Sequence, residues 1–171
     1  MTETAQGRGG SRADCEDYLK MYQHLRAESD KYHDVIWKLA FATVIAAAAA
    51  ASFLLTKPGA ASFLGPSGPL VLLGTLAFAI GATGAGLTHM YALYREVTHH
   101  IGNEYRNAWL RAETKPVLAK KLHARYERAV KTYKWNIGFT LRWTFPSVVV
   151  ALVGLVVAVA ALSGCFPLRP A

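Results

Sequence analysis

Three long stretches of the chain are nearly free of charge, and polar sequence with a heptad-like pattern lies between them. The apolar stretches are 35–56, 69–94 and 143–164, each of 22 residues or more. At about 1.5 Å of rise per residue, roughly 20 residues cross a hydrocarbon core of about 30 Å. The pattern therefore predicts three transmembrane helices. Lys38 is the one charge in any of them. It lies near one end, so its stem can carry the ammonium to the headgroups. A soluble bundle of three very apolar helices is the competing reading, but uninterrupted runs of this length exceed what a soluble core needs.

Inside lipid, apolar side chains gain little by leaving hydrocarbon for one another. Helices associate by close packing, and small residues let backbones approach. The second span has small residues at Gly74, Ala77, Gly81, Gly84 and Thr88, spaced 3, 4, 3, 4. The third has Ser147, Ala151, Gly154, Ala158 and Ala161, spaced 4, 3, 4, 3. Both are seams with the period of a left-handed helix pair. The first span carries six consecutive alanines in "TVIAAAAAASFLL", a third narrow surface for helix contact. Bulky residues such as Leu54, Leu72, Phe78, Val149, Leu155 and Val156 are expected toward lipid. The seams could be saturated within one chain or leave a face for a homo-oligomer.

The polar sequence also reads as helix. No Gly or Pro occurs from Ser11 to Lys57, so one helix can run from 13–34 into the first span. Its stripe is Tyr18, Tyr22, Leu25, Ser29, Tyr32, Ile36, Leu39. After the second span a stripe continues as Leu87, Met90, Tyr94, Val97, Ile101, Tyr105, Ala108, and Pro116 is expected to break the helix. A returning helix carries Leu118, Leu122, Tyr126, Ala129, Tyr133 and Ile137 and is expected to end near Pro146. Outgoing 92–115 and returning 116–142 would reach about 36 and about 40 Å, against about 33 Å for 13–34. The matched lengths predict an all-α, three-span membrane protein with a cytoplasmic helical bundle formed by extensions of the spans. Residues 1–12 are expected to be a disordered tail.

Charge sets the topology. Residues 1–34 hold five Lys and Arg, the loop 57–68 one, the segment 95–142 eleven against four acidic residues, and the tail 165–171 one. Positive charge stays on the cytoplasmic side. The N-terminus and the 95–142 hairpin are thus expected inside, with 57–68 and the C-terminus outside. No signal peptide is evident, since the first 34 residues are polar. The localisation implied is the inner (plasma) membrane, multi-pass, and the lipid bilayer is the first partner. Cys15 and Cys165 fit no metal or redox spacing. "LSGC" at 162–165 resembles a lipoprotein box, but such boxes close an N-terminal signal, and here the match is read as chance.

Candidate chemistry is sparse. The six histidines show no HExxH and no paired metal spacing, and no Ser-His-Asp arrangement is visible. No metal, cofactor or catalytic residue is expected, and the chain does not read as an enzyme. No charge lies near the middle of a span, which argues against an ion-coupled carrier. A pore lined by Thr75, Thr83, Thr88 and Ser147 stays open, although these hydroxyls are expected to bond their own helix backbones. One cluster suggests a ligand. Arg106 and Arg111 flank Trp109, while Lys121, Arg125 and Arg128 share a face of the returning helix. Guanidinium groups beside a ring could hold a small anion such as a nucleotide. The competing reading is a basic surface facing anionic headgroups. No nucleic-acid polymer is expected as a partner.

A polar helix bearing "ESDKY" runs into the first span; a short outer loop, a second span, a tyrosine-rich hairpin with "AVKTYKWNIGF" and a last span follow. This layout, over residues 28–163, resembles the transmembrane effectors of bacterial antiphage signalling, namely Pycsar-type membrane effectors and SLATT domains. Three spans fit the Pycsar-type layout better. The resemblance implies an abortive-infection effector that impairs the inner membrane when a nucleotide second messenger, such as a cyclic nucleotide, is sensed. No residue's role is carried over from it. A membrane scaffold or accessory subunit, and a small constitutive oligomeric channel, are the alternatives.

Overall fold

The computed structural model describes residues 12–56, 67–134 and 137–163, and within them not the side chains of Leu55, Tyr133, Lys134 or 137–140. Most of the expected tail at 1–12, most of the loop 57–68 and the tail 165–171 lie outside the described residues, as does Cys165. The described residues form four helices: α1 (Arg12–Thr56), α2 (Gly68–Arg111), α3 (Lys115–Lys134) and α4 (Ile137–Leu162). Three helices, in α1, α2 and α4, are long and apolar enough to cross a membrane. The chain divides into a polar unit, Met1–Asp34 with Tyr91–Phe139, and an apolar unit, Val35–Met90 with Thr140–Ala171. α1 and α2 contribute residues to both.

The apolar unit is organised by glycine. A methyl group at Gly74 would lie 2.5 Å from the Ala158 nitrogen and 2.7 Å from the Gly154 carbonyl oxygen. One at Gly81 would lie 2.7 Å from the Ser147 carbonyl oxygen and would also collide with the Ala151 backbone. One at Gly154 would lie 2.7 Å from the Gly74 carbonyl oxygen and 2.9 Å from the Ala77 carbonyl carbon. So α2 and α4 meet backbone to backbone, at a separation no larger residue permits. The third helix joins at Gly84, where a methyl group would strike the Thr43 side chain and come 3.1 Å from the Ser147 hydroxyl oxygen.

α1 presents Thr43, Ala47, Ala50, Ala51 and Leu54 inward, while Ala46, Ala48 and Ala49 are exposed. Only part of the alanine run therefore packs. Leu54 is buried rather than lipid-facing, because it stands on the same heptad face as Ala47. Large apolar side chains such as Ile45, Phe53, Val156 and Leu162 stay exposed, a surface suited to hydrocarbon rather than water. Trp37 packs edge-on against Trp143 at 5.9 Å between ring centroids, and the Arg142 guanidinium lies 5.0 Å from the Trp143 ring. Such amphipathic rings suit a membrane–water interface.

Hydroxyls in this unit behave in two ways. Thr43 donates to the Leu39 carbonyl and Thr75 to the Val71 carbonyl, each at 2.8 Å. That is the local bonding expected of such side chains. Thr88 and Ser147 depart from it: both are fully buried, and neither hydroxyl oxygen has a hydrogen-bond partner among the described residues. The tight three-helix contact holds them where local bonding geometry is not met.

The polar unit has its own small core. Tyr18 of α1, Ala108 of α2 and Leu118 of α3 are buried together, with Tyr105 and Leu122 packed against them. Tyr18 and Tyr105 lie 6.2 Å apart, and Tyr32 stacks on Tyr94 at 6.2 Å. An ion pair, Lys115 to Asp14 at 2.7 Å, ties the start of α3 to α1.

Three boundaries differ from the sequence pattern. Leu87, Met90 and Tyr94 are exposed, and the inward face of α2 runs through Thr88 and Ala92 instead. The small-residue seam, not the bulky stripe, sets the rotation of the helix. Pro146 lies inside α4 rather than ending the preceding helix; neighbouring helices can accommodate a proline within an apolar span. The break expected at Pro116 is present between α2 and α3, and Pro116 itself occupies the first turn of α3, where a missing N–H leaves no bond unmade. The turn is made earlier, at Ala112, whose φ is 48°. The Glu113 N–H bonds the Ala108 carbonyl at 3.0 Å and the Ala112 N–H the Trp109 carbonyl at 3.3 Å. This is a Schellman end with alanine where glycine is preferred.

Three outcomes are expected from measurements on the full chain in detergent. Ala112→Gly should stabilise against chemical unfolding by about 0.5–1 kcal/mol, since it removes left-handed strain at some gain in unfolded-state entropy. Gly81→Ala should destabilise by about 1–3 kcal/mol through overpacking. Gly86→Ala, with nothing within 4 Å of the added methyl, should be neutral or slightly stabilising.

Candidate anion-binding groove

Within the polar unit α2 and α3 run back from the turn at Ala112, and their facing sides enclose a groove of about 490 Å³. From α2 it is lined by Glu104, Asn107 and Arg111; from α3 by Lys120, Lys121, Ala124, Arg125 and Arg128. Five cations thus face one buried carboxylate. The spacing of Lys121, Arg125 and Arg128 by four and three places all three on one side of α3. No aromatic side chain is among the lining residues.

Two of the cations are held by carboxylates. Arg125 Nε donates to Glu104 at 2.7 Å, and Lys121 Nζ donates to Glu113. Glu104 and Glu113 are about one-tenth exposed, whereas Arg125 and Lys121 remain partly open to solvent. Arg111, Lys120 and Arg128 have no carboxylate partner among the described residues. Their charge is left for whatever enters the groove. Guanidinium groups bind phosphate oxygens through paired N–H donors, and a lysine adds a mobile point charge.

The six sequence candidates separate. Arg111, Lys121, Arg125 and Arg128 come together in the groove. Arg106 lines a different cleft, between α1 and α2, and Trp109 lines neither. The reason is their placement around α2: Arg106 and Arg111 are five residues and so about 140° apart, and the face toward α3 is that of Glu104, Asn107 and Arg111. Glu104, Asn107 and Lys120 are additional lining residues. The Glu104–Arg125 pair spans 21 positions, and no helical spacing rule reaches that far.

A smaller hollow of about 120 Å³ adjoins the groove and shares Arg125 and Arg128 with it. His100 lines it. Burial lowers the His100 pKa below 6.5, as do Arg125 and His99, while Glu96 and Glu104 act in the opposite sense. At the start of α3, Asp14 raises the Lys115 pKa through its hydrogen bond and charge.

No protein-family profile matches this chain, and neither does any curated protein or solved structure. Among the described residues no group of three His, Cys, Asp or Glu could hold a metal ion.

The His100 shift has a signed consequence. Between 6.5 and the lowered folded value, the unfolded chain binds the proton and the folded chain does not. Stability is therefore full above pH 6.5 and falls as pH drops through that window. His100→Gln should flatten the loss measured by thermal melts between pH 7 and pH 5.

Proposed function

We propose that this protein is a bacterial membrane effector whose polar unit binds an anionic nucleotide signal in the α2–α3 groove, and whose apolar unit impairs the inner membrane in response, as part of an antiphage abortive-infection system. The observation that carries the reading is the groove itself. Three cations without carboxylate partners share one cavity of about 490 Å³, within the range typical of small-molecule sites. The layout's resemblance to transmembrane antiphage effectors adds the signal class and the outcome. The lining argues for recognition by charge. With no ring among the described lining residues and several cations available, a ligand bearing two phosphates is favoured over one bearing a single phosphate.

Connectivity supports a response in the apolar unit. α2 carries Asn107 and Arg111 as well as Gly74 and Gly81. A ligand that draws α2 and α3 together in one state and not in another shifts the population between those states. Because the α2–α4 seam has no slack, a small movement of α2 replaces one packing with another rather than deforming it.

The test uses the full chain in liposomes loaded with a self-quenched dye, challenged with cyclic mononucleotides and cyclic dinucleotides. Dye release by a dinucleotide, lost in Arg111→Gln and Arg128→Gln, is expected. Release that needs no nucleotide supports a constitutive channel instead. Silence to the whole panel rejects the effector reading.

A further inference from the structure

We propose a second anion site, separate from the groove: the cleft between α1 and α2 in the polar unit holds a single phosphate group. The cleft has a volume of about 240 Å³. That is about half the volume of the groove, with room for a phosphate and a few waters.

The placement of the arginines is what distinguishes this cleft from a basic surface. On α2, Arg95, Thr98, Gly102 and Arg106 follow at spacings of 3, 4 and 4, so they share one face. From α1, Arg26 reaches the same space. Three guanidinium groups thus approach from two helices. Opposing them are Asp30, which also lines the cleft, and Glu96, which pairs with Arg95 at 2.9 Å. His99 lines the cleft too. Arg26 donates to the neutral Tyr22 hydroxyl at 3.0 Å rather than to a carboxylate. Arg106 has no carboxylate partner among the described residues. The cleft therefore keeps a positive excess, and a bound oxyanion would balance it through forked N–H contacts.

Gly102 supplies an independent observation. It is buried mid-helix, seven residues after Arg95 and four before Arg106. Glycine there weakens a helix. Packing does not require it, because an added methyl would meet only ordinary contacts, 3.5 Å to Leu25 Cβ and 3.9 Å to Tyr22 Cδ2. Unlike Gly74 or Gly81, it admits no neighbouring backbone. It lines the cleft with no side chain of its own to fill it. Ser29, almost fully buried, adds a hydroxyl to the opposite wall.

The phosphate could be free in solution or belong to a lipid headgroup, and the experiment separates the two. The full chain is placed in nanodiscs of phosphatidylcholine, and inorganic phosphate is titrated against chloride at constant ionic strength, with thermal stability as the readout. In a second arm, nanodiscs containing phosphatidic acid are analysed by native mass spectrometry for retained lipid. Wild type should bind one of these phosphates. Arg26→Gln and Arg106→Gln should each weaken that binding at least tenfold, and Gly102→Leu should do so without removing charge. Lys131→Gln, which removes an exposed cation lining neither the groove nor the cleft, should leave it unchanged. Retained phosphatidic acid that blocks inorganic phosphate identifies the headgroup as the source; phosphate binding without lipid retention identifies free phosphate. Binding that survives both arginine substitutions, or that is lost in Lys131→Gln and kept in Arg26→Gln, overturns the proposal.

Discussion

Backbone meets backbone where α2 passes α4, and the apolar unit depends on that contact. At Gly74, Gly81 and Gly154 a single methyl would collide with main-chain atoms of the facing helix. In hydrocarbon there is no water to expel, so close van der Waals contact must supply the attraction between helices. The closest approach also places Thr43 and Ser147 beside Gly84. Two hydroxyls of this unit, on Thr88 and Ser147, are buried with no hydrogen-bond partner among the described residues. Steric fit among the three helices outweighs the hydrogen bonds these groups would otherwise make.

The polar unit obeys a different economy. Its core is small, centred on Tyr18, Ala108 and Leu118, and much of its remaining organisation is electrostatic. Glu104 and Glu113 each take one cation from α3, and Asp14 takes another. Partial exposure makes each pair modest in energy. Their larger effect is on position: they decide which arginines are occupied and which face open space. Arg111 and Arg128 are left to the groove, and Arg106 is turned toward the α1–α2 cleft.

Much of the helical plan was legible because its signals are periodic. The charge-free runs mark the apolar segments, and the 3–4 spacing of Gly74, Ala77, Gly81 and Gly84 marks a packing face. Local chemistry was a weaker guide at the prolines. Pro116 does fall beside the break between α2 and α3, in the first turn of α3, but Pro146, which looks like a helix end, is carried inside α4. The true turn at Ala112 uses a residue that carries no turn signal, held by two backbone hydrogen bonds. The site follows from helix geometry: Arg106 and Arg111 are five residues apart on α2, about 140° around its axis, so only Arg111 shares the face that meets α3. Pairings between helices, such as Arg125 with Glu104, have no signature in local spacing.

The seam also constrains how the chain can change length. One residue inserted between Gly74 and Gly81 would rotate everything beyond it by about 100° around the helix axis. Gly81 and Gly84 would swing out of the interface, and bulkier neighbours would take their places against α4. Exchanges of one outward-facing apolar residue for another can accumulate along α2, whereas single-residue insertions and deletions in this stretch cannot.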